Sequence, residues 1–480
     1  MRRAKIVCTI GPVTESREQI QALVDAGMDV ARINRSHGDQ AAHEIVYRNV
    51  RAAAQASGRA VAVLVDLQGP KIRLGTFVAG KVELVEGDTF TITTDNVPGT
   101  KERASTTYKG LPGDAKVGDQ ILIDDGRVGV RIVAVEGNDV VTTVELAGPI
   151  SNNKGLNLPG VAVNVPAMSG KDEEDLRWAL RLGADIIALS FVRSAKDYDD
   201  VARIMAHEGR VVPVIAKIEK PQAVENLAEI IDAFDGIMVA RGDLGVEMPL
   251  EMVPLVQKRA VELARRSAKP VIVATQVLES MISAPRPTRA EASDCANAIL
   301  DGADAVMLSG ETSVGDYPIE AVRTMARIIE NTEELGHERM APLGTTPYTR
   351  GGAITRAAAE IGEILGVKYL VTFTQSGDSA RRMSRLRSPI PLIAFTPLTK
   401  VRSELALSWG VQTYELAQVE HSDAMVRQVD WMLREENLVT EGDLVVIVFG
   451  APVGVSGTTN SILVHKIGQL SGSGTVRAPR

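Results

Sequence analysis

The sequence has little cysteine and no long apolar run. Only two cysteines occur in 480 residues, Cys8 and Cys295, and they lie far apart in apolar or helical contexts. Sparse cysteine argues against a disulfide framework and is typical of a reducing compartment, where both thiols are expected to be buried and inert. The most apolar stretch, 444–455, is broken by two glycines and a proline and is shorter than the ~20 residues that span a bilayer. We therefore expect no membrane association and a cytoplasmic location.

Positive charge and aromatic residues are also in short supply. The 53 Lys and Arg residues face 61 Asp and Glu residues, a net charge of −8 at pH 7, and only 4% of residues are aromatic. A negative average field repels nucleic acid, which is not expected as a partner. A composition of 45% hydrophobic and 24% charged residues excludes a disordered or fibrous protein. At roughly 150 residues per domain, the length predicts about three domains.

Short runs rich in Val and Ile end abruptly in polar residues, and patterns of helical period follow most of them. These runs span 6–10, 30–34, 60–66, 186–190, 211–217, 236–241, 271–275 and 305–309. Apolar runs without alternation are typical of parallel strands that are buried on both faces. Eight strand–helix units predict an α/β protein with a (β/α)₈ TIM barrel.

One interval between these runs is much too long. The stretch from Asp66 to Ser190 exceeds the roughly 30 residues of a barrel unit by about 95 residues. Within it the pattern changes to strand-like alternation, with turn pairs such as Asp125-Gly126 and Gly137-Asn138. This predicts a β-rich lid domain over 70–164, inserted into a barrel formed by 1–69 and 165–340.

A Pro- and Thr-containing joint, 342–349, follows the last barrel unit. Helical and strand patterns then alternate again, with strands expected near 369–374, 391–395, 411–414, 444–449 and 462–467. The segment 341–480 is therefore predicted to be a separate C-terminal domain with an open α/β sheet.

The predicted strand ends carry most of the polar groups that could perform chemistry. The second run contains Arg32 and Asn34 and is followed by Ser36 and His37. The other polar groups at strand ends are Asp66, Ser190, Lys217, Glu219, Arg241 to Asp243, Thr275, and Ser309 to Thr312. The C-terminal strand ends of such a barrel form its active site. Burying so many polar groups together is costly unless they share a ligand.

Glu219 and Asp243 end successive strands, so their carboxylates can converge on a hard divalent cation such as Mg²⁺. Alternatively, Glu219 only pairs with Lys217. Arg32 and Lys217 would place positive charge beside the metal, as transfer of a phosphoryl or carboxylate group requires. His37 either contacts a phosphate or caps its own loop.

The common nucleotide and hydrolase motifs are missing: there is no Walker loop, no Cys/His metal cluster and no Gly-x-Ser-x-Gly elbow. In the C-terminal domain, however, a strand leads to a helix through Thr374, Gln375, Ser376, Gly377, Asp378 and Ser379. Backbone N–H groups and hydroxyls in such a turn form an anion nest, which predicts a second phosphate site. An ordinary capped helix start is the alternative.

Five segments of the sequence resemble the pyruvate kinase family, and the resemblance covers essentially the whole chain. They are 212–220 (VPVIAKIEK), which matches the family's active-site signature, 238–245 (MVARGDLG), 274–281 (ATQVLESM), 285–291 (PRPTRAE) and 307–312 (MLSGET). The resemblance implies phosphoryl transfer from phosphoenolpyruvate to ADP, giving pyruvate and ATP as in the last step of glycolysis. It also implies a homotetramer with an allosteric C-terminal domain.

The resemblance also implies a role for each matching residue. Lys217 would stabilise the phosphoryl group in transit with help from Arg32, and Glu219 and Asp243 would hold Mg²⁺ or Mn²⁺. The Gly242 backbone and Thr275 would orient the substrate carboxylate, and Thr275 with Ser309 would belong to the proton relay. His37, Arg73 and Lys154 would contact the nucleotide.

The third strand departs from the commoner family pattern, because it reads DLQGPKIR over 66–73 where most members carry a glutamate in place of Lys71. In the glutamate form, a bound K⁺ lies beside residues equivalent to Asn34, Ser36, Asp66 and Leu67. We expect the Lys71 ammonium to replace this ion, as in lysine-bearing members, so that K⁺ is not required. A plain surface lysine at a domain hinge is the alternative. Arg35 also departs from the pattern, since an apolar residue is commoner there.

The segment 450–460 lacks the Trp and Arg that many members activated by fructose 1,6-bisphosphate carry. We therefore expect AMP or a sugar monophosphate as the effector, bound at the nest formed by Thr374 to Gly377 and Ser379.

Two other functions fit parts of the sequence. A pyruvate-releasing lyase or Schiff-base aldolase would use Lys217 as its nucleophile, but it would not explain the lid. A catalytically silent metabolite sensor is a different class, against which the complete set Arg32, Lys217, Glu219, Asp243 and Thr275 argues.

Overall fold

A computed structural model describes residues 2–161 and 165–469. In chain order its strands are β1 (Lys5–Thr9), β2 (Val30–Asn34), β3 (Ala62–Asp66), β4 (Lys81–Leu84), β5 (Thr89–Thr93), β6 (Arg103–Ser105), β7 (Gln120–Ile123), β8 (Val128–Glu136), β9 (Asp139–Leu146), β10 (Gly148–Ser151), β11 (Leu156–Asn157), β12 (Ile186–Leu189), β13 (Val214–Ile218), β14 (Gly236–Ala240), β15 (Val271–Ala274), β16 (Ala305–Leu308), β17 (Tyr369–Phe373), β18 (Leu392–Thr396), β19 (Val411–Glu415), β20 (Leu444–Gly450) and β21 (Thr459–Lys466).

The α-helices are α1 (Arg17–Ala26), α2 (Gln40–Ser57), α3 (Leu111–Asp114), α4 (Gly170–Leu182), α5 (Asp197–Glu208), α6 (Pro221–Glu225), α7 (Leu227–Ala233), α8 (Arg241–Glu247), α9 (Val253–Arg266), α10 (Arg289–Asp301), α11 (Gly310–Ser313), α12 (Pro318–Gly336), α13 (Arg350–Leu365), α14 (Asp378–Ser384), α15 (Thr399–Glu404) and α16 (Ser422–Glu435). In the part of the chain that the structure describes, no helix is both long enough and apolar enough to cross a bilayer.

Eight parallel strands close into a barrel in the order β1-β16-β15-β14-β13-β12-β3-β2. All eight correspond to the apolar runs in the sequence, so the predicted TIM barrel is confirmed. The register pairs Asn34 with Asp66 at the polar ends of β2 and β3. Because every strand runs in the same direction, the polar residues that follow the strands gather at one end of the barrel.

Between β3 and α4 the chain forms the expected β-rich insertion. Its main sheet has the order β11-β7-β8-β9-β5-β6, and β10 pairs with β4. Asp124 and Asp125 form the β7–β8 turn with positive φ angles of 54° and 55°, a conformation that Asp tolerates better than most residues. Apolar side chains on the inner face, among them Phe90 and Ile121, form a core of their own.

The C-terminal sheet has the order β19-β18-β17-β20-β21. Only β21 runs antiparallel to its neighbour. The domain docks on the barrel through a 3₁₀ turn, Leu405–Leu407. Leu407 is 1% exposed and packs with barrel residues such as Val7 and Leu64, so the turn closes the floor of the barrel, opposite the polar strand ends.

Several element ends differ from the sequence expectation by a few residues. The sixth barrel strand stops at Ala240, and Arg241 begins α8, where its guanidinium pairs with Asp294. Helix α14 ends at Ser384, before Arg387, which has a φ of 55° and cannot continue a right-handed helix. The domain boundaries remain predictions, and those at 1, 164 and 480 lie outside the described residues.

Candidate active site

Asp66 lies at the centre of the polar cluster in the barrel mouth. Its Oδ2 accepts a hydrogen bond of 2.7 Å from Arg32 Nε, and its Oδ1 lies 3.3 Å from Lys217 Nζ. Burial alone would raise the pKa of Asp66, but the charges of Lys217 and Arg32 outweigh burial and lower it. Asp66 is therefore an anion that holds two cations in place.

Lys217 reaches into the mouth from β13. Its Nζ lies 2.7 Å from Glu219 Oε1 and donates to Ser190 Oγ at 2.8 Å. Burial alone would lower the pKa of Lys217, but the carboxylates of Asp66, Glu219 and Asp243 raise it above its ordinary value. The side chain, 12% exposed, is thus a fixed positive charge.

Glu219 and Asp243 are the candidate metal ligands. The alternative pairing of Glu219 with Lys217 is present, and the second oxygen of Glu219 accepts a 2.7 Å bond from the backbone N–H of Phe191. Burial and the charge of Glu219 raise the pKa of Asp243 to about 6. Two carboxylates that repel each other in a buried site suit a hard divalent cation. In the described part of the chain, no three metal-ligating side chains gather, so substrate or water oxygens would have to complete the shell.

Gly242 and Thr275 are brought together at the ends of neighbouring strands. The Gly242 N–H donates to Thr275 Oγ1 at 2.7 Å, and the same hydroxyl donates to the Ala274 carbonyl at 2.6 Å. Thr275 has a φ of 67°, which is strained for a β-branched residue. The Ser309 hydroxyl is buried without a hydrogen-bond partner among the described residues. No hydrogen bond joins the Thr275 and Ser309 hydroxyls.

The three residues predicted to contact the nucleotide form no hydrogen bond or ion pair with this cluster. His37 is exposed in the loop before α2. Arg73 Nη1 donates to the Asn153 carbonyl at 3.0 Å, and Lys154 Nζ pairs with Asp124 in the lid at 2.9 Å. Arg73 and Lys154 therefore sit on the lid, and His37 sits on the barrel.

Residues of the predicted cation region already form hydrogen bonds within the protein. Asn34 Oδ1 accepts the Ser36 N–H at 3.1 Å, and the Leu67 carbonyl accepts the Ser190 hydroxyl at 2.7 Å. Lys71 lies where the chain enters the lid, and its positive charge partly offsets the rise in the pKa of Asp243. No hydrogen bond or ion pair joins Lys71 to Asn34, Ser36 or Asp66.

Arg35, which had no expected role, is buried at 4% exposure. Its Nη2 donates to Asp175 Oδ1 at 2.7 Å, and its guanidinium lies 4.8 Å from the ring centre of Trp178. Lys171 Nζ donates to the Arg35 carbonyl at 2.9 Å. Sequence reasoning missed these partners on α4. The departure at Arg35 was the signal, since an arginine in a buried loop needs an acidic partner.

Of the predicted effector residues, Thr374, Gln375, Ser376 and Ser379 line an open cavity at the carboxyl edge of the C-terminal sheet. Thr374 Oγ1 accepts the Gly377 N–H at 2.8 Å, and the hydroxyls of Ser379 and Thr459 bond at 2.6 Å. Arg382 Nε donates to Asp378 at 2.7 Å. Part of the nest is thus already used within the protein, as in a capped helix start, while Gln375 and Ser376 remain on the cavity wall.

The chain is similar to known proteins in its family match, its sequence and its fold. Residues 1–322 match the model of the pyruvate kinase barrel domain, and residues 352–465 match that of the pyruvate kinase alpha/beta domain. The pyruvate kinase of Mycobacterium tuberculosis is 58% identical over 468 residues, which cover 98% of this chain and 99% of the relative.

More distant relatives support the same family assignment. The pyruvate kinase of Geobacillus stearothermophilus is 46% identical over 480 residues, covering 98% of this chain and 82% of the relative. A crystal structure of a pyruvate kinase from Cryptosporidium parvum superimposes with a TM-score of 0.91 at 36% identity and covers 97% of this chain and 96% of that chain. The chain therefore belongs to the pyruvate kinase family of glycolytic phosphotransferases.

Proposed function

We propose that the mouth of the barrel transfers the phosphoryl group of phosphoenolpyruvate to ADP, with Lys217 and Arg32 as the main electrostatic groups. The observation that carries this proposal is the buried cluster in which Asp66 holds both cations within 3.3 Å. Phosphoryl transfer depends on positioning and on charge stabilisation rather than on covalent chemistry by the protein. A fixed ammonium and a fixed guanidinium supply that stabilisation without reorganising during the reaction.

The remaining residues orient the substrate and deliver the proton that forms pyruvate. The Gly242 backbone and Thr275, joined by a 2.7 Å bond, would hold the carboxylate of phosphoenolpyruvate. The Thr275 hydroxyl, with Ser309 behind it, would deliver the proton that converts enolpyruvate to pyruvate. His37, Arg73 and Lys154 would contact ADP when the lid closes and excludes water.

The donor set Glu219 and Asp243 fits Mg²⁺ or Mn²⁺. The metal would neutralise phosphoryl and carboxylate oxygens when it is bound. In its absence the two carboxylates repel each other, which contributes to the raised pKa of Asp243. We expect added Mg²⁺ to raise the thermal unfolding midpoint of the wild type, because binding to the folded state stabilises it.

A lactate dehydrogenase-coupled assay of the wild type and Lys217→Met tests the central claim. We expect the variant to lose a factor of about 10³ in turnover, because no other group can replace the buried charge of the ammonium. Lys116→Met changes an exposed lid lysine in the same way and should leave the rate unchanged. Equal rates for the wild type and Lys217→Met would contradict the proposed mechanism.

A Schiff-base lyase on the same barrel is not favoured. Attack on a carbonyl requires an unprotonated amine, whereas the surrounding carboxylates raise the pKa of Lys217 and keep it charged. Borohydride trapping with pyruvate should give no adduct at Lys217.

We also propose that Lys71 replaces a monovalent cation. Support comes from the charge that Lys71 places near Asp243 and from the internal bonds that occupy Asn34 and Leu67. Activity in Tris or tetramethylammonium salts should therefore change little when KCl is added. Lys71→Glu should become dependent on K⁺, because it leaves the site without its fixed charge. A large K⁺ stimulation of the wild type would contradict the proposal.

For regulation we propose AMP or a sugar monophosphate, bound in the cavity lined by Gln375 and Ser376. The absence of Trp and Arg from 450–460 favours one phosphate over two. Each effector would be titrated at subsaturating phosphoenolpyruvate, with an increase in rate expected. Activation by fructose 1,6-bisphosphate alone would contradict this assignment.

A homotetramer in the cytoplasm is also proposed. Support for association comes from β21, which lies at the edge of its sheet with Leu463 and Val464 exposed at 37% and 40%. The two buried, unpaired cysteines suit a reducing compartment. Light scattering of the purified protein measures the mass directly.

A further inference from the structure

Glu247 is a buried carboxylate outside the set of residues considered so far. It ends helix α8, whose first turn carries Gly242 and Asp243. Its side chain is 2% exposed, and a carboxylate at that depth needs compensating donors. Among the described residues it has two, and they come from different parts of the molecule.

Both donors reach the same oxygen of Glu247. Lys220 Nζ lies 2.5 Å from Oε1, and Asn157 Nδ2 donates to Oε1 at 2.7 Å. Lys220 directly follows Glu219 in the chain, and its ammonium lies 5.5 Å from the ring centre of Phe191. Asn157 belongs to β11, the outer strand of the lid sheet. Glu247 thus joins the lid to both strand ends that carry the candidate metal ligands.

The electrostatics favour the lid position in which Asn157 contacts Glu247, here called closed. A hydrogen bond to a charged group is stronger than one between neutral groups. When the lid swings away, Asn157 leaves and Glu247 keeps only the lysine. The closed arrangement therefore gains a charge-assisted bond that links lid position to α8.

We propose that Asn157, Glu247 and Lys220 form a latch that holds the lid closed over the reacting phosphoryl group, with Glu247 as a positioning residue. The inference rests on the proposed phosphotransfer and deepens it. The latch acts through Asp243 and the lid, and it touches no reacting atom. Its function is to exclude water, which would attack the phosphorus and break its bond to the enol oxygen. That reaction releases inorganic phosphate and enolpyruvate, which takes a proton to become pyruvate.

Asn157→Ala tests the latch from the lid side and leaves the barrel untouched. Inorganic phosphate, ATP and pyruvate are measured together with phosphoenolpyruvate, ADP and Mg²⁺. We expect the phosphate released per ATP to rise at least severalfold and kcat/KM for phosphoenolpyruvate to fall about tenfold, as loss of one charge-assisted bond predicts. Asn96→Ala, in an exposed part of the lid, is the matched control and should match the wild type.

Variants of Glu247 separate the latch from a merely structural role. Glu247→Gln keeps an oxygen for Asn157 and should leak less phosphate than Glu247→Ala. Adding Asn157→Ala to Glu247→Ala should cause little further leak, because both remove the same bond. A wild-type phosphate-to-ATP ratio in Asn157→Ala, or additive effects in the double variant, would overturn the latch. Failure of the wild type itself to make ATP would instead contradict the proposed function.

Discussion

At the scale of single residues, the site is built from buried charges that hold one another. Lys217, Glu219 and Asp243 could be predicted from the sequence because each follows an apolar run at the end of a barrel strand. Their partners are harder to predict. Asp66 is expected among the polar strand ends and beside a monovalent cation, but its pairing with both Arg32 and Lys217 is not predicted.

The role of Arg35 could not be predicted from the sequence either, because its partner is remote in the chain. Its partner Asp175 lies 140 residues further along the chain, and no local pattern links a strand-end loop to a helix so far away. The pair fixes the loop between Asn34 and Ser36, because the neutral ring of Trp178 and the carboxylate of Asp175 together enclose the guanidinium. The arginine therefore anchors the loop and does not add free charge to the site.

Arg35→Met should destabilise the protein by about 3 kcal/mol, because it leaves Asp175 buried with only Lys171 as a partner. Thermal unfolding measures the effect as a lower midpoint. Arg35→Met combined with Asp175→Leu should recover part of the loss, since the uncompensated carboxylate is then gone. An unchanged midpoint in Arg35→Met would show that the pair contributes nothing.

At the scale of elements, apolar runs locate the barrel strands well but not their ends. The run 211–217 becomes β13 at Val214–Ile218, because Pro213 cannot donate to the sheet. Strands of the lid follow from alternation and from the Asp-Gly turn, both local signals. The docking turn Leu405–Leu407 gives no such signal, since three apolar residues after a helix can pack anywhere.

Helix α4 shows how one element can hold two loops at the mouth of the barrel. Its Asp175 and Lys171 hold Arg35, and its Asp172 accepts the Gly69 N–H at 2.9 Å. One helix therefore fixes both the loop after β2 and the start of the path to the lid. The capping box formed by Ser169 and Asp172 sets the first turn and with it the position of all three side chains.

At the scale of the whole molecule, acidic side chains of the C-terminal domain and of the barrel lie close enough to act on one another. Glu404 ends α15 next to the docking turn. Burial raises its pKa to about 7; Asp185 and Asp235 of the barrel add to the rise, and Arg381 and Lys400 oppose it. In the unfolded chain the group titrates near 4.3. The folded state binds the proton more tightly, so this contribution to stability is full below about pH 4 and is lost as pH rises through about 7.

Glu404→Gln should therefore raise the thermal unfolding midpoint relative to the wild type at pH 8, and the difference should shrink towards pH 5. Differential scanning calorimetry at both pH values measures it. Glu420→Gln, on an exposed loop, is the control and should follow the wild type. A difference that is the same at pH 5 and pH 8 would show that Glu404 does not titrate in this range.

The inserted lid has a consequence for how the chain folds. Strands β3 and β12 pair directly, with Leu64 opposite Ile186, although the whole lid separates them in sequence. Closing so long a flexible loop costs entropy and slows folding. The entry and exit of the lid lie side by side. Arg73 forms an antiparallel β-bridge with Gly155, and the Leu74 N–H donates to the Lys154 carbonyl at 2.8 Å. A lid that folds first therefore acts as a short loop, and the ring of strands can close around it at little extra entropic cost.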